Sequence, residues 1–149
     1  MDAELLEIQN FLAQYPPFSE LPEEMLTKVT SSVEISYYRQ DTPIIHFGDQ
    51  IHDLYVVRSG EVEVYRRKGE LYNRLDQGDL FGQMGLLTNN KVRFPVKATE
   101  DTLLYCIPEP IFQELYDNYD SFADFVEVED NARLRQANSD SNDANDLTT

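Results

Sequence analysis

The stretch GQMGLL, Gly82 to Leu87, and the basic residues Lys91, Arg93 and Lys97 that follow it have the types and spacing to do chemistry. If Gly82 ends a strand and opens a short helical turn, the first backbone N–H groups of that turn lack intrahelical acceptors. They then face the space before the turn, where a small anion can accept them. Glycine has no Cβ, so a guest can come close, while Leu86 and Leu87 would anchor the turn to an apolar interior. A strand is predicted from Lys91 to Ala98, and its regular pleat would put Lys91, Arg93 and Lys97 on one face. An arginine there can grip an anion with two parallel hydrogen bonds. Pro95 has no N–H to give to a ladder, which predicts an edge or bulged strand at that point. A tight β connection with no guest fits the same spacing.

Elsewhere the reactive residue types do not converge. His46 and His52 are isolated from the histidine and glutamate pattern of a metal-binding roll, so no metal site is predicted. Cys106 lies in the apolar run LLYCIP and reads as a small buried hydrophobe, since a single cysteine forms no internal disulfide. The tyrosines suit strand packing. The acidic residues Asp117, Asp120, Asp124, Glu127, Glu129 and Asp130 suit a solvated helix face and lack calcium-loop spacing. No catalytic constellation emerges, and the expectation is a protein that is not an enzyme.

Positioning the candidate turn requires a rigid frame, and the sequence predicts one. Asp2 to Gln14 places Leu5, Ile8, Phe11 and Leu12 near helical spacing before Pro16 and Pro17 stop it. A second helix follows Pro22, with Glu23 and Glu24 in its first turn, and ends near Ser31 and Ser32. Then come short β-type runs, VEISYYR, TPIIHF, DLYVVRS, EVEVYRR, LYNRL, DLFG, VRFPVKA and TLLYCI, separated by turn residues. All six glycines fall between Gly48 and Gly85. Helical spacing returns after Pro110. The expected fold is mainly β with flanking helices (α+β), an antiparallel β-roll of the double-stranded β-helix, jelly-roll kind. The expected divisions are an N-terminal helix at 1–17, a domain at 18–135, and a disordered acidic tail or linker at 136–149.

Composition narrows the partners. A formal charge of −16 disfavours nucleic acid, although residues 58–97 carry eight Lys and Arg against five Asp and Glu around the candidate turn. No apolar run is long enough for a membrane helix, and the acidic start lacks a signal peptide, so the expectation is a soluble, cytoplasmic protein. Phe122, Phe125, Val126 and Leu134 are predicted to leave an apolar stripe on which a homodimer could form.

The order of helices, the roll with SGEVEVYRRKGE, then GDLFGQMGLL, then VKATEDTLLYCI, then helices resembles the cyclic-nucleotide-binding domain of catabolite activator proteins and protein kinase A regulatory subunits. The likeness covers about residues 18–126. It implies a phosphate-binding cassette, F-G-E-[LIM]-[AG]-L-[LI] followed by P-R-[AS]-A-[TS]-V-x-A, whose glutamate accepts from a ribose hydroxyl and whose arginine pairs with the cyclic phosphate. Phe81, Gly82, Met84, Gly85, Leu86, Leu87, Val96, Ala98 and Asp101 fit it, whereas Gln83 stands at the glutamate and Val92 at the arginine. Glutamine keeps an acceptor but loses the charge that makes such a bond about twice as strong. Valine cannot neutralise a phosphate, and an unpaired buried anion costs several kcal/mol. Arg93 is next in the chain and reaches the pocket if the loop shifts by one residue or bulges near Pro95; in a regular strand it faces away from Val92.

The resemblance therefore implies a ligand site of Phe81, Gly82, Gln83, Met84, Gly85, Leu86, Val92, Arg93 and Phe94, for cAMP or another adenine nucleotide, with no cofactor. A nucleotide-sensing domain that moves its C-terminal helices is one reading; a degenerate fold that binds no nucleotide and serves as an interaction or dimerisation module is the other. The phrases YYRQDTPIIHFGD, DLYVVRSGEVEV and ATEDTLLYCIP also resemble the sensor module of bacterial proteins that join such a domain to CBS and nucleotidyltransferase domains. No helix-turn-helix follows the roll, so DNA binding is not expected.

Overall fold

The computed structural model of the chain describes residues 2–127. Helix α1 (Ala3–Leu12) starts where the Asp2 side chain accepts a hydrogen bond from the Leu5 amide, and it buries Ile8, Phe11 and Leu12 along one face. Helix α2 (Glu23–Ser32) begins after Pro22, carries Glu23 and Glu24 in its first turn, and buries Met25, Leu26, Val29 and Thr30. The chain then enters the roll: β1 (Glu34–Tyr38), β2 (Pro43–Ile45), β3 (Asp53–Ser59), β4 (Val62–Tyr65), β5 (Leu71–Leu75), β6 (Leu80–Phe81), a short helix α3 (Gln83–Leu87), β7 (Val96–Ala98) and β8 (Thr102–Pro108). Helix α4 (Glu109–Asn118) leaves it, and a further helix, α5, is described from residue 120 to 127.

Two antiparallel four-stranded sheets result, ordered β1-β8-β3-β6 and β2-β7-β4-β5. The alternation read in β4 decides its orientation. Val62 and Val64 are buried in the roll, while Glu63 turns outward and takes the Arg74 guanidinium of β5 at 2.8 Å. A hydrogen bond from Tyr65, then one from Arg74, holds the Glu63 carboxyl below its ordinary pKa. Gly60 sits at the β3–β4 turn with φ +91°, and a Cβ there would lie 2.4 Å from the Asp101 carbonyl. Only glycine fits that turn.

Three expectations are corrected. The strand predicted from Lys91 to Ala98 shrinks to Val96–Ala98, with a single bridge between Lys91 and Gln50 before it. Residues 92–95 pair instead across loops: Gly48 donates to the Val92 carbonyl, and Val92 to that of Asp49, both at 2.9 Å. Lys91, Arg93 and Lys97 therefore do not share one strand face. Of the edge or bulge expected at Pro95, the edge is overturned, for β7 lies between β2 and β4, though its pairing with β2 shifts register between Pro43 and Ile45; Pro95 precedes β7 and only accepts, from the Tyr65 amide at 2.9 Å. The apolar stripe expected on the C-terminal helices turns inward as well. Phe122 and Val126 are fully buried, and Phe122 meets Phe18 at 6.0 Å and Phe112 at 5.7 Å. Leu134 and the tail expected at 136–149 lie outside the described residues.

Among the described residues no helix is long and apolar enough to cross a membrane. One contact ties the helical layer together at its surface: Lys28 of α2 meets Glu114 of α4 at 2.8 Å, with the lysine side chain about half exposed. Exposed pairs of this kind contribute little, so Lys28→Ala should lower the unfolding free energy by less than about 1 kcal/mol in urea denaturation.

Candidate functional site

The turn between β6 and α3 is built around two glycines in close quarters. Gly82 has φ +99°, and a Cβ on it would meet the Ile51 Cδ1 at 2.9 Å and the Asp53 carbonyl at 3.1 Å. Phe81, one residue earlier, is 1% exposed and stacks on Tyr55 of β3 with ring centroids 4.8 Å apart. Burial raises the Tyr55 phenol well above its ordinary pKa, so the ring stays neutral and serves as a floor. Gly85 lets α3 lie against the following loop, since a Cβ would come within 2.6 Å of Ile51 and 3.0 Å of the Lys91 carbonyl. Leu86 is buried and Leu87 packs against the core, as their anchoring role requires.

A cavity of about 20 Å³ lies beside this turn. Phe81, Gly82, Met84 and Gly85 form one wall, and Val92, Arg93 and Phe94 another. Val92 and Arg93 share it because the segment between them and β7 is not a strand; the alternation that would have sent them to opposite sides is absent. Gln83 and Leu86 do not line the cavity. Gln83 is fully buried on the same turn, and neither its Oε1 nor its Nε2 has a hydrogen-bond partner. The two positions at which the sequence departs from the cassette thus differ in consequence. Val92 gives the cavity an apolar wall, whereas Gln83 leaves a carboxamide buried at a cost of about 1–3 kcal/mol unless a polar group reaches it.

Three neighbouring cations are engaged elsewhere. Arg58 lies over the Phe11 ring at 4.6 Å and within 3.3 Å of Glu7; Arg66 pairs with Glu70, and Arg67 lies over Phe47 at 4.8 Å. Arg93 is the one cation lining the cavity among the described residues, and no described group pairs with it. Because α3 has five residues, its dipole is short and its amides alone make a weak anion site. Arg93 and Gln83 are therefore the polar features that matter here.

Sequence reasoning missed the far wall, Ile45, Ile51, Val64 and Val96. The dry face of β4 was visible, but nothing in the pattern around Ile51 told that it touches both Gly82 and Gly85. His46 sits beside Asp49 at 3.2 Å and His52 beside Glu109 at 4.0 Å, on separate contacts. Among the described residues no group of three or more His, Cys, Asp and Glu could hold a metal ion. Cys106 is buried, which raises its thiol pKa and keeps it protonated.

Comparison with known proteins gives a consistent result. The family model of the cyclic nucleotide-binding domain matches residues 35–119. A cAMP-dependent protein kinase regulatory subunit of Hypocrea atroviridis is 29% identical over 107 residues, 72% of this chain and 23% of that relative. The chain thus spans about a quarter of that relative's length. The catabolite activator protein of Thermus thermophilus superposes with a TM-score of 0.68 at 29% identity, over 83% of this chain and 60% of that one. A cAMP-bound protein kinase A regulatory chain, PfPKA-R, superposes with a TM-score of 0.68 at 26% identity, over 76% and 42%.

Proposed function

This chain belongs to the cyclic nucleotide-binding domain family, and from that premise we propose that it senses cAMP or a related adenine nucleotide. The nucleotide enters the cavity beside α3, and the C-terminal helices carry the response. The observation that carries this reading is the buried, unpartnered carboxamide of Gln83 on the turn that walls the cavity. A hydroxyl of a bound sugar would relieve it by donating to Oε1 and accepting from Nε2. Arg93, lining the cavity and without a partner among the described residues, supplies the positive charge for a phosphate that Val92 cannot. The regulatory subunits among its relatives make a regulatory role the natural one.

Response follows from size. A cavity of about 20 Å³ holds about one water molecule, whereas a small-molecule pocket needs roughly 300 Å³ or more. Entry of a nucleotide must displace a wall, and a ligand that favours the widened form shifts the population toward it. The proposal includes a sensor unit at 18–135, cytoplasmic residence, and an output partner of the CBS or nucleotidyltransferase kind or a second copy of the chain. The CBS association rests on the three sequence phrases alone.

Isothermal titration with cAMP, cGMP, AMP and adenosine tests the reading. A saturable isotherm with a phosphorylated ligand is expected. Arg93→Ala should weaken it about tenfold, the value of one charge-assisted contact at a half-exposed rim, and leave thermal stability unchanged. Undiminished affinity removes Arg93 from the site. The small cavity and Val92 favour a second reading, a domain of this fold that binds no nucleotide and acts as an interaction module. Absence of heat with all four compounds at millimolar concentration selects it.

A further inference from the structure

We infer that Asn90 is a positioning residue that fastens the movable wall of the cavity to helix α4 through Glu109. The inference deepens the nucleotide-sensing reading by naming the route of its output, but its central test does not depend on a ligand.

The cavity has one rigid side and one yielding side. Ile45, Val64, Phe81 and Val96 belong to strands with ladder partners. Residues 92–95 lie between the isolated Gln50–Lys91 bridge and the start of β7, outside any ladder. A guest that needs room will move this segment, with Val92 and Arg93 on it, rather than a strand. The end of the segment nearest α3 is held by Asn90. Its amide donates to the Gly85 carbonyl at 2.8 Å, and its carbonyl accepts from Ile51 at 2.9 Å. Its side-chain Nδ2 donates to the Ile51 carbonyl at 3.2 Å and to the Glu109 carboxylate at 2.7 Å.

Glu109 is the first residue of α4, and its own amide donates to the His52 carbonyl at 2.9 Å. The charge-assisted bond from Asn90 is therefore a direct link between the cavity loop and the start of the first C-terminal helix. Asn90 also has φ +60°, a conformation that asparagine adopts more readily than most residues, so both its backbone and its side chain suit this place. A displacement of residues 91–95 reaches α4 through one side chain.

Amide hydrogen exchange on the full chain, in Asn90→Gly, Glu109→Gln, Glu109→Ala and the double variant Asn90→Gly/Glu109→Ala, decides the matter. Glycine keeps the positive φ and removes only the side chain. Glu109→Ala, made on α4, is expected to speed exchange of the Val92 and Gly48 amides about tenfold. Glu109→Gln retains an acceptor and should stay within about twofold of the parent, which separates the bond from the charge. The double variant should match Asn90→Gly, because once the Asn90 side chain is gone Glu109→Ala has no bond to it left to remove, whereas Asn90→Gly alone also loses the Ile51 contact. Unchanged Val92 and Gly48 exchange in Glu109→Ala, or additive effects in the double variant, overturns the link. In a second arm with saturating cAMP, the α4 amides should respond in the parent and not in Glu109→Ala; an equal response in both also overturns it. If the parent binds none of the four titrated compounds, the nucleotide reading fails, and the first arm still decides the link.

Discussion

Phe81→Ala should lower the free energy of unfolding by about 3–5 kcal/mol, the range for truncating a buried aromatic ring. The ring is 1% exposed, pairs in register with Tyr55 across β6 and β3, and stacks on it with an interplanar angle of 9°. Its loss removes apolar contact on every side and leaves a void continuous with the cavity beside α3. The strands around that void are fixed by their ladders, so collapse onto it is limited and the cost stays near the upper part of the range. Urea denaturation would show a lower midpoint with an unchanged m-value. Phe81→Leu keeps most of the volume and should cost less than about 1.5 kcal/mol. A loss below about 1 kcal/mol in the alanine variant would mean that the wall relaxes freely and that the site is softer than its packing indicates.

The same residues show what the sequence made legible. β5 coincides with the run LYNRL, and α2 ends at Ser32 as its pattern predicts, because both follow from local spacing and punctuation. The turn at Gly82 was legible too: a glycine between an apolar strand end and two leucines has few other uses. Residues 92–95 were not. Their composition reads as a strand, but the backbone partners of Val92, Gly48 and Asp49, come from a loop more than 40 residues earlier in the chain, and Pro95 withholds a donor. That tertiary choice brought Val92 and Arg93 to one cavity, which no alternation rule could reveal.

Burial of polar groups is the other limit. Gln83 on a five-residue helix has the composition of a surface position, and only tertiary packing around the turn makes it fully inaccessible. The reverse holds for Phe122, whose helical spacing with Val126 was visible from sequence but whose facing ring, Phe18, is over 100 residues away. Spacing tells which residues share a face. It does not tell what covers that face.

Gln83→Met should raise stability by about 1–3 kcal/mol and at the same time weaken nucleotide binding by about 10–100-fold. Both magnitudes come from one fact. A buried carboxamide with neither atom hydrogen-bonded has lost its water without replacement, at a cost of about 1–3 kcal/mol; a thioether of similar length fills the space and has no such need. The same exchange leaves a sugar hydroxyl without its acceptor in the complex, and leaving that group unsatisfied carries a penalty of the same size, here expressed as affinity. Opposite signs in stability and binding are what a group retained for a ligand produces. A structural glutamine would lose in the first measurement and show nothing in the second. If Gln83→Met lowers the urea midpoint, the carboxamide is satisfied within the folded domain, and the argument that a polar guest completes this turn fails with it.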